Sequence, residues 1–160
     1  MRADEVLIAH HEMLRSLLAE LEGTTRDEPE RRRDLLDTLT SELGIHTQIE
    51  DELFYPAVKA VSRLVWIAHA EHRQIDDQLA TILRTHPGGD RFADELRVLR
   101  AGIEHHAAEE EREMFPESHA LGDAELEALG KRLAARQQQL RRSRLAQFRL
   151  RVKRETLRRI

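Results

Sequence analysis

The stretch "HTQIEDELFYP", residues 46–56, decides how this chain folds. His46 and Glu50 stand four residues apart, which on an α-helix places them on one face, one turn from each other. That face is otherwise aliphatic. Leu39, Leu43, His46, Glu50 and Leu53 recur at alternating steps of three and four, the spacing of a stripe turned toward a core. An imidazole and a carboxylate therefore stand where a bundle helix would bury leucine. A buried carboxylate is costly unless a cation compensates it, so the stretch asks for a partner of opposite charge.

The same pattern recurs. "HAAEEEREMFP", residues 106–116, repeats it at an offset of 60, and "HHEMLRSLLAEL" (10–21) aligns with "EHRQIDDQLATI" (71–82) at an offset of 61. Each half of the repeat is a helical hairpin, with a lone histidine on its first helix and His-x-x-x-Glu on its second. Asp4 is placed to cap a first helix ending at Gly23, and Pro29 suits the first turn of a second that stops near "FYP". A third is expected over about 62–85. A fourth, capped by Asp90, runs to about Phe115; "PESHALGD" reads as a loop, and a fifth helix starts at Asp123. The expected fold is all-α: an antiparallel up-down-up-down four-helix bundle over residues 1–120, with an additional basic C-terminal helix over 121–160.

Periodicity chooses the inward residues. The third helix gives Val65, Ala68, His72, Ile75, Leu79 and Ile82, and the fourth gives Leu96, Leu99, Ile103, His106, Glu110 and Met114. Shifting the fourth by one gives Val98, Gly102, His105, Glu109 and Arg112, a poorer core. On the first helix two stripes compete: Leu7, His11, Leu14, Leu18, Leu21 against Val6, His10, Met13, Leu17, and the repeat selects His11.

His11, His46, Glu50, His72, His106 and Glu110 would thus converge in an aliphatic interior. Imidazole and carboxylate without thiolate suit iron, with manganese or zinc as alternatives, and the chain has no cysteine to offer. Two carboxylates bridging a pair of six-coordinate ions, four imidazoles and one solvent-derived oxygen bridge leave about two positions open for dioxygen, peroxide or nitric oxide. Without a cation, Glu50 and Glu110 would repel. One should then take up a proton, and replacing either by alanine should leave a more stable metal-free protein.

Composition narrows the classes. With no cysteine, disulfides, iron–sulfur clusters and thiol chemistry are out, and a cytoplasmic setting fits. The first residues lack the apolar run of a signal peptide, and no segment is long enough to span a membrane. The net charge is −4, yet residues 131–160 hold twelve Lys or Arg against one acid, Glu155, leaving −15 on the first 130. The tail's apolar residues Leu133, Leu140, Leu145, Phe148, Val152 and Ile160 fit an amphipathic helix. It could meet an acidic partner, a membrane surface, another subunit or its own acidic bundle; no nucleic-acid motif accompanies it.

The order His, His-x-x-x-Glu, His, His-x-x-x-Glu resembles the hemerythrin-like family, or HHE cation-binding domains, over about residues 4–120. The resemblance implies an antiparallel four-helix bundle with a non-haem di-iron centre, used for oxygen binding, gas or iron sensing, or peroxide decomposition. Two departures from the oxygen carriers of that family stand out. They carry His-x-x-x-His on the third helix, where this chain has only His69, three residues before His72; they close the motif with an aspartate five residues after the last histidine, where Glu110 stands at four. Both argue against reversible oxygen carriage and for a symmetric site with two bridging glutamates. Two functions follow: a catalytic or gas-reactive di-iron protein, with catalase-like peroxide decomposition as one form, or a sensor signalling through the basic tail. Iron binding without catalysis is a third.

His69 could be a fifth nitrogen ligand, an outer proton donor or a solvated rim residue. Tyr55, the single tyrosine, could hydrogen-bond into the site or simply pack. Glu109, Glu111 and Glu113 read as a solvated face, and His86 and His119 as loop residues.

Overall fold

The computed structural model describes the backbone of residues 1–158 and the side chains of residues 1–145 and 147. Among the described residues the fold is all-helical, with no strand. Helix α1 spans Ala3–Glu22. Helix α2 runs as α-helix over Pro29–Ile49, widens into a π-helical turn over Glu50–Phe54 and resumes over Tyr55–Val58. Helix α3 is Val65–Arg84. Helix α4 repeats the plan of α2: α-helix over Phe92–Glu109, a π turn over Glu110–Met114, then Phe115–Ser118. A 3₁₀ turn, His119–Leu121, leads to α5, Asp123–Arg158.

The π turns change what the sequence predicts for the helix ends. A proline inside a helix leaves a carbonyl unpaired and normally stops it. Here the backbone N–H of Tyr55 reaches back to the Glu50 carbonyl and that of Phe115 to Glu110, the five-residue bond of a π turn, so Pro56 and Pro116 sit in the first turn of a resumed helix. Helices α2 and α4 therefore continue past "FYP" and "MFP", and much of "PESHALGD" is helical. The extra residue also shifts the stripe: Phe54, with no exposed surface, takes the core place expected for Leu53, which is half-buried. The expected caps also move. Asp4 lies inside the first turn of α1 and pairs with Arg2 and His119, while Asp90 pairs with Arg26 ahead of α4.

Two apolar clusters fill the interior. One joins Leu14, Leu18, Leu39, Leu43, Ile75 and Ile103; the other joins Leu7, Ile49, Phe54, Tyr55, Val65 and Phe115, with Leu126, Leu129 and Leu133 added from α5. Each of those three leucines is at most 1 % exposed, a burial worth about 1.5–3 kcal/mol apiece. Helix α5 reaches this position because Gly122 adopts φ 87°, open to glycine at little cost, and because Gly130 has no Cβ. A Cβ there would collide with the backbone of Met1, Arg2 and Ala3.

Packing of α5 on α1 explains the two competing stripes of the first helix. His11 faces the interior of the bundle and His10 lies between α2 and α5, so both are buried; Met13, on the stripe of His10, is 39 % exposed. Further along, Arg136 pairs with Glu52 and Arg141 with Glu42, so the described part of the basic tail lies on its own acidic bundle. The amphipathic places expected for Phe148, Val152 and Ile160 fall outside the described side chains.

Candidate metal centre

Between the two apolar clusters lie the six residues singled out by the repeat, none more than 5 % exposed. They come together as two histidine pairs joined by carboxylates. The Nε2 atoms of His11 and His46 are 3.1 Å apart, as are those of His72 and His106. Glu50 spans the pairs, with Oε1 3.0 Å from His46 Nε2 and Oε2 3.0 Å from His72 Nε2. Glu110 Oε1 lies 3.1 Å from His106 Nε2 and 3.4 Å from His11 Nε2. The donor atoms of His11, His46, Glu50 and Glu110 all fall within 4.8 Å of one another, as do those of Glu50, His72 and His106.

The outer ring nitrogens explain why the inner ones converge as acceptors. His11 Nδ1 donates to Glu111 Oε1 at 3.1 Å, and His106 Nδ1 donates to Glu71 Oε1 at 3.1 Å. Asp51 Oδ1 lies 3.2 Å from His72 Nδ1, in ion-pair range but out of line for a hydrogen bond. His46 Nδ1 meets His10 Nδ1 at 3.2 Å. A carboxylate behind Nδ1 keeps the proton on that side and turns the Nε2 lone pair inward, the arrangement that orients imidazole toward a metal. His11 and Arg15 hold Glu111 down to about 2 against its partial burial, so it stays an anionic acceptor.

These outer partners also obey the repeat. Glu71 aligns with His10, at the offset of 61, and Glu111 with Asp51, at 60. The residue before each lone histidine backs the other histidine of its own hairpin; the residue after each inner glutamate backs a histidine of the opposite hairpin. That signal was present in the sequence, yet Glu111 reads there as part of a solvated face.

Tyr55 reaches further in than packing alone would need. The π turn brings its hydroxyl 3.0 Å from Glu50 Oε2, 3.1 Å from Glu110 Oε2 and 3.0 Å from His72 Nε2. Burial first, then the two carboxylates, push its pKa well above the usual phenol value, so it holds a proton to share between them. His69 stays at the rim, its Nδ1 3.3 Å from Asp51 and its ring edge-on to Tyr55, outside the inner cluster. A cavity of about 300 Å³ bounded by Asp51, Tyr55, Val65, Trp66 and His69 opens beside Tyr55.

The donor set fits a cation. Glu50 Oε1 and Glu110 Oε1 are buried with no hydrogen-bond donor among the described residues, though imidazole nitrogens stand close by. Lone pair then faces lone pair unless a proton or a metal lies between. Without metal the protons go to the imidazoles. Burial opposes it, but Glu110 and Glu111 raise His11 to about 9, and Asp51 and Glu50 raise His72 to about 9; His106 is also raised. Burial lowers His46 to about 4. Glu50, against its own burial, is held well below the usual carboxylate range by His46, His106 and His72. The expected protonation of a carboxyl is thus not what this geometry favours at Glu50: the imidazoles interleave the acids and take the charge.

The profile of the hemerythrin HHE cation binding domain matches residues 2–118. The chain belongs to the hemerythrin HHE cation-binding family. Among its relatives, the uncharacterized proteins Rv2633c of Mycobacterium tuberculosis and Mb2666c of Mycobacterium bovis are each 43 % identical, with 100 % of both chains covered. The crystal structure of an HHE cation binding domain-containing protein of Mycobacterium kansasii, described as a homolog of Rv2633c, superposes with a TM-score of 0.85 at 42 % identity over 93 % of each chain. An HHE domain carrying a His/Glu cluster able to bind metal is therefore established, and no described helix is long and apolar enough to cross a membrane. The family match ends at Ser118, ahead of α5.

Proposed function

We propose that the protein is a non-haem di-iron protein that binds or reacts with a small ligand, dioxygen, peroxide or nitric oxide, with peroxide decomposition as its catalytic form. The observation that carries this reading is the pair of dihistidine clusters joined by Glu50 and Glu110, with buried carboxylate oxygens that lack donors. His11, His46, Glu50 and Glu110 would hold one ion; His72 and His106, with Glu50 and Glu110 shared, would hold the other. Nitrogen and oxygen donors without sulfur suit iron, the metal of this reading, with manganese and zinc as alternatives. Iron bound there supplies Lewis acidity and one-electron redox chemistry to the ligand. The chain does the rest. Outer acids and His10 fix the imidazoles, the two apolar clusters exclude water, and the Tyr55 hydroxyl keeps a proton beside Glu50 and Glu110 for an incoming oxygen atom. The cavity beside Tyr55 gives a small ligand an approach.

The finer architecture belongs to this reading: an antiparallel up-down-up-down order of α1 to α4 over residues 1–120, extended by the basic helix, in a cytoplasmic protein. Short connections between successive helices support that order. A second reading, a sensor that reports metal or gas state through α5, is favoured by the contact of α5 with the outer side of the His10–His46 pair. Metal analysis of the purified chain tests the first. About two irons per chain, with peroxide disproportionation lost in His106→Ala, is the expected result, whereas a single zinc per chain would overturn it.

A further inference from the structure

One of the four outer partners differs in kind. Glu71, Glu111 and Asp51 are carboxylates, but behind His46 the repeat places an imidazole, His10. His10 offers no carboxylate with which to fix the proton of His46, and it is held in turn by a chain of groups leading to α5. Its Nε2 donates to Glu42 Oε2 at 2.8 Å, while the Gln137 amide, 3.0 Å from its Nδ1, shares with His46 the one lone pair of that nitrogen. Arg141 clamps Glu42 through Nε at 3.1 Å and Nη2 at 2.9 Å. Each link fixes the next. Glu42, able only to accept, keeps the proton on His10 Nε2; His10 Nδ1 is left as an acceptor, so His46 Nδ1 carries the proton it offers, and the His46 Nε2 lone pair points at Glu50 and His11. The side chain of His10 has no exposed surface and that of Glu42 is 15 % exposed, so little water competes along the way.

We propose that Arg141 of α5 is a positioning residue for the metal centre, acting through Glu42 and His10 on the orientation and tautomer of His46. Helix α5 lies beyond the part of the chain that matches the family, so this coupling joins the extension to one half of an otherwise two-fold site. The other half, His72 and His106, is backed by Asp51 and Glu71, within the matched part of the chain. Losing the clamp should loosen one ion and spare its neighbour. Supporting groups behind a metal-binding imidazole are worth about 10–100-fold in metal affinity.

The inference rests on the proposal that His46 holds iron, and the test separates the two. Full-length protein is loaded with ⁵⁷Fe(II), and metal release into a chelator and the Mössbauer spectrum are compared for wild type, Arg141→Ala, Arg141→Lys and Arg136→Ala. Arg136 is the control: it ties the same helix to Glu52 and touches none of these groups. Expected is release of one of the two irons about tenfold faster in Arg141→Ala. One quadrupole doublet should shift and the other stay, Arg141→Lys should recover part of the loss, and Arg136→Ala should match wild type. Faster loss of both irons in Arg136→Ala as well would reduce the effect to general docking of α5 and overturn the inference. So would unchanged release and spectra in Arg141→Ala. A wild-type chain that holds no iron would instead sink the di-iron reading itself.

Discussion

Replacing Glu50 by glutamine keeps the shape of the side chain and removes the charge that joins the two histidine pairs. In the metal-free protein that charge lies 3.0 Å from His72 and 3.7 Å from His106, and with Asp51 it lifts His72 to about 9. A rise from 6.5 to about 9 corresponds to roughly 3 kcal/mol of stability. Because the folded pKa is raised, this stability is complete below about pH 6.5 and is lost as pH climbs through about 9. Asp51 supplies part of the shift, but His106 also loses support. The expected cost of Glu50→Gln at pH 6 is therefore about 2–3 kcal/mol. For a chain of this size that lowers Tm by roughly 5–10 °C. The difference between variant and wild type should shrink toward pH 9.5, where the wild type has shed the same protons. The assay is thermal unfolding of chelator-stripped protein at both pH values, with iron content of the untreated variant measured alongside; occupancy should fall from the proposed two to below one. A variant as stable as wild type at pH 6, or more stable, would refute the reasoning and restore the expectation from sequence that repulsion between Glu50 and Glu110 dominates the metal-free state.

Metal uptake near pH 7 should release about three protons per chain, from His11, His72 and His106, and apparent affinity should fall as pH drops below about 9; calorimetry in buffers of different ionisation enthalpy counts the protons. Tyr55→Phe leaves the proposed histidine and glutamate donors in place, so iron content should persist, while loss of the hydroxyl between two carboxylates costs the metal-free protein about 1.5–3 kcal/mol in denaturant unfolding. Glu110→Ala should lose iron and Glu109→Ala should keep it, since Glu109 faces His105 outside the inner cluster; elemental analysis showing the reverse would shift the inward face of α4 by one residue.

Most of the inner site was legible in the sequence because it is written in helical periodicity and then written twice. His46, Glu50, His72, His106 and Glu110 interrupt aliphatic stripes, and a stripe on a helix identifies a buried face without knowledge of its neighbours. His11 needed the repeat, since His10 lies on a second stripe of nearly equal quality. The structure supplies the reason: α1 is covered on two sides, and periodicity marks burial without saying which neighbour provides it. What the tertiary structure alone decided are the relations between helices. The π turns at Glu50 and Glu110 rest on a backbone bond that the three-and-four stripes do not show, and they carry Phe54, Tyr55 and Phe115 inward. Whether acids repel or imidazoles intervene depends on ångström distances across four helices, so the reading of mutual repulsion between Glu50 and Glu110 failed at Glu50 although the side chains do come together. Glu111 looked solvated because its partners, His11 and Arg15, lie about 100 positions away in the chain. The sequence determines which side chains each helix turns inward; which of them meet, and through which nitrogen, is set by how the helices pack.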